Sequence, residues 1–158
     1  MKHLPKHARP RWRYLAVGLE GWPDARVDRR AFQRELWYAA QNLVGDVGSA
    51  EMDCTVYGFA FEGGVGDAVV RVRRGEVERA RAVLACLDAV DGHPVRVTVR
   101  GVSGTVRACE ESYIRRPLES SDEKRVVFED SERPAFARDG RVDVRVDHGF
   151  AGATDHDC

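Results

Sequence analysis

The side chains with the greatest chemical reach are scattered along this chain. His3, His7, His93, His148 and His156 fall in stretches that read as arm, turn or tail. His3 and His7 would share one face of a helix, but Pro5 between them disfavours that helix. Cys54, Cys86, Cys109 and Cys158 form no CxxC pair, so a thiolate zinc site is not expected. Cysteines so spaced in a cytosolic protein are usually buried apolar residues. That is the expectation for the first three, with Cys158 an exposed terminal thiol. Glu110 and Glu111 are neighbours on a predicted helix and point in different directions, so they cannot form a close carboxylate pair. Asp155-His156-Asp157-Cys158 has ligand-type side chains but sits where chains fray. GxSxG, HExxH and P-loop motifs are absent. The chain is expected to have no catalytic residue and to bind no metal or cofactor itself.

The arginines are better placed. All but three of the 25 basic residues are Arg. An arm with Lys2, Lys6, Arg9, Arg11 and Arg13 carries Trp12 and Tyr14 among its charges. Guanidinium forks suit phosphates, and aromatic rings can stack on unpaired bases. Arg71, Arg73 and Arg74 end one predicted strand, with Arg71 and Arg73 on the same face, while Arg96 and Arg100 share a face of another. If those faces coincide, four guanidiniums project from one sheet. Gly101-Val102-Ser103-Gly104-Thr105 joins a strand to a helix N-terminus, where free amides and the helix dipole favour a phosphate, and Arg107 adds a cation. An RNA-recognition sheet of the common kind would carry aromatic residues in its third strand. Asp67–Arg73 has none. RNA binding is therefore expected to read shape and phosphates rather than to stack bases on the sheet.

These groups need a scaffold, and the apolar spacing supplies one. Arg13–Glu20 reads as a strand, followed by a turn at Gly21-Trp22-Pro23-Asp24. Asp28 is placed to cap a helix whose inner face holds Phe32, Leu36, Ala39, Ala40 and Leu43, with Gly45 at its end. Strands over Met52–Phe61 and Asp67–Arg73 flank a glycine-rich connection. A second helix begins near Gly75 and buries Val77, Ala80, Leu84 and Leu87. A strand over Pro94–Arg100 and a short helix over Thr105–Ile114 follow. The order is β-α-β-β-α-β plus a helix, a ferredoxin-like or RRM-like α+β sandwich with an antiparallel sheet. Two helices cover one face, and the other is open unless the third helix or a partner covers it.

Charge divides the chain. Residues 1–116 carry 19 basic against 15 acidic side chains, a charge of +4. Residues 117–158 carry 6 against 11, a charge of −5. The expected organisation is a flexible basic arm over 1–10, a domain over 11–116, and an acidic, mostly disordered tail over 117–158. No apolar run is long enough to span a bilayer, and no signal-peptide pattern follows the basic start. A soluble, cytoplasmic protein that avoids membranes is expected.

Several residues together resemble a known family. They are Gly101-Val102-Ser103-Gly104-Thr105-Val106-Arg107 after the last strand and Arg74 ahead of the second helix. Leu36-Trp37 with Gly45 and Gly48, and the opening Arg11-Trp12-Arg13-Tyr14-Leu15, complete the set. Over about residues 9–115 the chain resembles the archaeal ribonuclease P protein component 2 family, related to a small subunit of the eukaryotic enzyme. The resemblance implies an RRM-like fold and a non-catalytic subunit of the ribozyme that trims the 5′ leader from precursor tRNA. It implies pairing with ribonuclease P protein component 3, two copies of each, beside the ribonuclease P RNA and other protein subunits. Precursor tRNA would be met indirectly, and Mg²⁺ would be required by the RNA active site. Carried over by position, Arg74, Ser103, Thr105 and Arg107 would contact RNA, followed by Arg11 and Arg13. Arg71, Arg73, Arg100 and Gly104 complete the candidate RNA face, and Trp37 and Tyr38 are candidates for protein contact. The longer acidic tail departs from the family's usual end.

Two other classes compete. A ferredoxin-like regulatory module would bind a small ligand, but no ligand motif is recognisable. A stand-alone metal-dependent ribonuclease would need clustered carboxylates or histidines, which the spacing does not supply.

Overall fold

The computed structural model describes residues 3–114, 122–138, 140–154 and 156–157. Its centre is β1 (Trp12–Gly21), whose alternate residues face two different environments. Leu15, Val17 and Leu19 enter the main core, while Tyr14 and Ala16 belong to a smaller cluster on the other side. β1 pairs antiparallel with β3 (Val65–Arg73) on one flank and β5 (His93–Ser103) on the other. β2 (Thr55–Glu62) pairs with β3, and the two-residue β4 (Ala89–Val90) pairs with β5, giving the order β2-β3-β1-β5-β4. The hairpin glycines are required by conformation: Gly63 and Gly64 both have positive φ, as do Asp91 and Gly92 before β5.

α1 (Arg29–Met52) and α2 (Val77–Ala85) cover one face of the sheet. Phe32, Leu36, Val83 and Leu84 pack there against Leu15, Val17, Val56, Val70 and Val72. Asp28 caps α1 as its position predicts, its carboxylate accepting the Ala31 N–H at 2.7 Å. Gly45 breaks α1 at φ +73°, but the helix resumes and ends at Asp53, where φ is +48°. The second segment turns Gly48 and Met52 inward, and that burial extends the helix past the glycine. α3 (Val106–Cys109) runs into a π-helical turn, Glu110–Ile114, against the opposite face. Cys109 packs with Ala16 and Val69 there, flanked by Tyr14, Tyr113 and Ile114.

The acidic tail is a correction. Residues 122–138 and 140–154 are not disordered but form a four-stranded antiparallel meander: β6 (Asp122–Phe128), β7 (Ser131–Arg138), β8 (Arg141–Val146) and β9 (Gly149–Thr154). Its core is only Val126, Ala135, Val142 and Val144, with Phe128 and Ala153 beside them. One buried row of small side chains leaves mean hydropathy low, which is why composition misleads here. The meander meets the far end of β1, where Phe150 stacks on Trp22 at 6.0 Å and Arg141 donates to Glu20 at 3.0 Å. Residues 117–121, with the expected 116/117 boundary, lie outside the described residues.

Cys86 also departs from expectation: it is exposed, whereas Cys54 and Cys109 are buried. Burial pushes the Cys54 thiol up to about 12, aided by Asp53 and Glu76, and the Cys109 thiol up to about 11, aided by Glu110. Cys158 lies outside the described residues. Among the described residues no helix is long and apolar enough to cross a membrane.

Candidate nucleic-acid interface

One end of the main sheet concentrates the arginines. β1 and β3 place Trp12 opposite Arg73 and Tyr14 opposite Arg71, so these four side chains share the face away from α1 and α2. The Arg71 guanidinium lies over the Trp12 ring, 3.9 Å from its centroid, and 5.0 Å from the Tyr57 centroid. Its Nη1 donates to the Tyr57 hydroxyl at 3.3 Å, and Tyr57 meets Tyr14 edge to face at 5.9 Å. Arg73 lies 5.0 Å from the other aromatic partner, Trp12, and pairs with Asp53 at 3.6 Å. The exposed Arg74 is tied in by its backbone, whose N–H donates to the Arg11 carbonyl at 2.9 Å. The third strand does lack aromatic residues, as its sequence shows, but β1 and β2 deliver three rings to the same face.

The Gly101–Thr105 segment closes this end. Ser103 pairs with Tyr14 across β1 and β5. Arg13 reaches toward Gly104, its Nη1 3.9 Å from where a Gly104 side chain would begin. Thr105 caps α3, its Oγ1 accepting the Ala108 N–H at 3.1 Å, so one amide that a phosphate could use is already occupied. Gly101 owes its identity to packing: a Cβ there would stand 2.1 Å from Tyr113 Cζ. Arg107 is 88% exposed and forms an ion pair with Glu111 at 2.9 Å.

Arg71, Arg73, Arg96 and Arg100 do share a sheet face, but not one patch. Arg100 lies across Gly18 in mid-sheet and pairs with the buried Asp67. Burial raises the Asp67 carboxyl, and Arg100 lowers it by less. Arg96 sits at the far end beside Glu20, 3.9 Å away, where Arg141 also pairs. The unneutralised positive character therefore gathers at the Trp12 end. Trp37 and Tyr38 stand elsewhere, on α1, 49% and 53% exposed. The Trp37 indole donates to the Cys54 carbonyl at 2.9 Å, so it is half anchored rather than core. No group of three or more metal-ligating side chains occurs among the described residues.

Fold and surface define a small α+β domain with an arginine-rich, aromatic sheet end. The chain belongs to the Rpp14/Pop5 family, whose sequence profile matches residues 13–114. It is 66% identical to Ribonuclease P protein component 2 of Natronomonas pharaonis over 154 residues, 98% of this chain and 96% of that protein. It is 34% identical to the protein of the same name from Methanosarcina mazei over 115 residues, 73% of this chain and 94% of that protein. A chain in the cryo-EM structure of yeast Ribonuclease MRP is similar at 16% identity and a TM-score of 0.47, covering 74% of this chain and 85% of that one. The β6–β9 meander lies beyond the residues the family profile matches.

Proposed function

We propose that this chain is a non-catalytic protein subunit of ribonuclease P, supporting the RNA-catalysed removal of the 5′ leader from precursor tRNA. The observation that carries this is the 66% identity to a ribonuclease P protein component over almost the whole of both chains. The antiparallel order β2-β3-β1-β5, with both long helices on one face, supports reading the domain as ferredoxin-like. In this reading Mg²⁺ belongs to the active site of the RNA, and the protein supplies positive charge and position.

The RNA-facing surface is the Trp12 end of the sheet. Arg11, Arg13, Arg71, Arg73 and Arg74 supply the cations, and Ser103, Gly104 and Thr105 line the adjoining loop. Arg100 and Arg107 rank second, because Arg100 is held in mid-sheet by the buried Asp67 and Arg107 pairs with Glu111 at 2.9 Å, closer than the 3.6 Å between Arg73 and Asp53. Trp37 and Tyr38 suit a protein partner, because half-exposed aromatic side chains are costly to leave in water and enriched at interfaces. That partner is ribonuclease P protein component 3, two copies of each, within a particle of the RNA and further proteins.

Co-purification tests this reading. The chain is expected to co-elute with component 3, and the pair to bind the catalytic domain of the RNA with an affinity that falls steeply with salt. Tyr38→Ala should weaken the protein pairing, and Arg74→Ala the RNA binding. Failure to associate with both component 3 and the RNA would overturn the reading.

A further inference from the structure

The geometry points to a nucleobase-stacking site at the Trp12 end of the sheet, built from Trp12, Arg71 and Tyr57 and suited to an unpaired RNA base. The inference rests on the ribonuclease P reading and adds to it the form in which RNA is held there: a single-stranded nucleotide gripped by its base, in addition to any helix recognised by its phosphates.

Three observations carry it. The first is preorganisation. Arg71 sits over Trp12 and beside Tyr57, with its Nη1 on the Tyr57 hydroxyl, while Tyr14 braces Tyr57 from the edge. The planar groups are thus already arranged, and little side-chain freedom is lost when a base joins them. The second is access. Tyr57 is 48% exposed on β2, an edge strand of the sheet, whereas the centre of the same face is covered by α3 and the π-helical turn. The third is charge. Arg73 lies within 5.0 Å of the Trp12 ring, and Arg74 and Arg11 are joined at the adjacent backbone. A base seated on the rings brings its own phosphate toward these cations. Asp53 is the carboxylate paired with Arg73, at 3.6 Å with both side chains partly exposed to solvent, so it tempers the field without neutralising it.

Stacking on an aromatic or guanidinium plane is tolerant of base identity, because every base has a π-face. The site therefore holds a nucleotide without reading a sequence, as suits a surface that meets one fixed position in a folded RNA.

The test compares two ligands on the full chain by fluorescence anisotropy: a short oligoadenylate and an abasic ribose-phosphate chain of equal length. Both carry the same phosphates, and only one can stack. The unaltered protein should bind oligoadenylate roughly tenfold more tightly. Trp12→Val and Tyr57→Val should each bring the ratio toward one, and Tyr57→Phe should keep it. Arg74→Gln should weaken both ligands alike and leave the ratio in place. Cooperative melting of each variant confirms that the loss is local. Equal affinity for the two ligands, a preference that survives both ring removals, or no binding to either would overturn the inference. Support of leader cleavage by a protein without base preference would sink the stacking site alone. A base preference in a protein that does not support cleavage would leave the stacking site standing and sink the ribonuclease P reading.

Discussion

Gly101→Ala is a change whose sign reveals what the glycine is for. In a strand, glycine ordinarily weakens the fold relative to alanine, because it loses more conformational freedom on folding. A tolerated Gly→Ala change therefore stabilises by about 0.4–1 kcal/mol. Here the added Cβ would stand 2.1 Å from Tyr113 Cζ and 2.3 Å from Cε1, far inside van der Waals contact. The ring cannot swing away freely, since Tyr113 packs on the Ala16, Val69 and Cys109 cluster. Overpacking of this kind costs about 1–3 kcal/mol. For a chain of this size that lowers Tm by roughly 3–10 °C. The assay is a double-mutant cycle by thermal or urea unfolding with Tyr113→Ala. With the ring removed, Gly101→Ala should cost nothing or stabilise. A Gly101→Ala protein more stable than the parent, or one equally destabilised without the ring, would refute the packing argument.

Three other perturbations follow from the same structure. In a Cys158→Ser background, Cys86 should react readily with a thiol reagent, while Cys54 and Cys109 should stay protected until the chain unfolds; fast labelling of either buried thiol would contradict the burial that holds them at about 12 and about 11. Burial raises Asp67 above its ordinary 3.8, so the folded protein keeps that proton to higher pH than the unfolded chain. Stability should then fall as pH rises from about 3.8 through the raised value, and Asp67→Asn should flatten that part of the slope, leaving the part due to Asp143, which burial also raises; an unchanged slope in urea melts would refute it. Phe150→Ala removes the ring stacked on Trp22 and should loosen the meander by about 0.5–1.5 kcal/mol, read as faster hydrogen exchange in β6–β9 with β1 and β3 unchanged.

The main domain was legible because its elements obey simple periods. β5 alternates and Asp28 caps α1, so strand, helix and cap could be placed from residue types alone. The resumption of α1 beyond Gly45 was not legible, since nothing local to the glycine announces that Gly48 and Met52 are buried. The meander escaped for a related reason. Its first hairpin turns on Glu129 and Asp130 at positive φ rather than on glycine, and its core is a few small residues. The interface was half legible. The arginines and the Gly101–Thr105 segment were visible as types in series, but their division was not. Whether Arg100 faces RNA or Asp67 depends on register across three strands. The aromatic platform needed the fold most. Trp12, Tyr14 and Tyr57 come from two strands that are not neighbours, brought together across β3 by Arg71 and by the Tyr14–Tyr57 edge contact.

A non-catalytic subunit of this kind makes ribonuclease P RNA a better leader-cleaving enzyme. The direct measurement is cleavage of precursor tRNA at low Mg²⁺ by an archaeal ribonuclease P RNA with component 3, with and without this chain. Cleavage at the mature 5′ end should depend on adding the chain, and should fall when Arg73, beside the Trp12 ring, and Arg74, tied to Arg11, are both changed to Ala. Equal cleavage with and without the chain would mean that it is no ribonuclease P subunit.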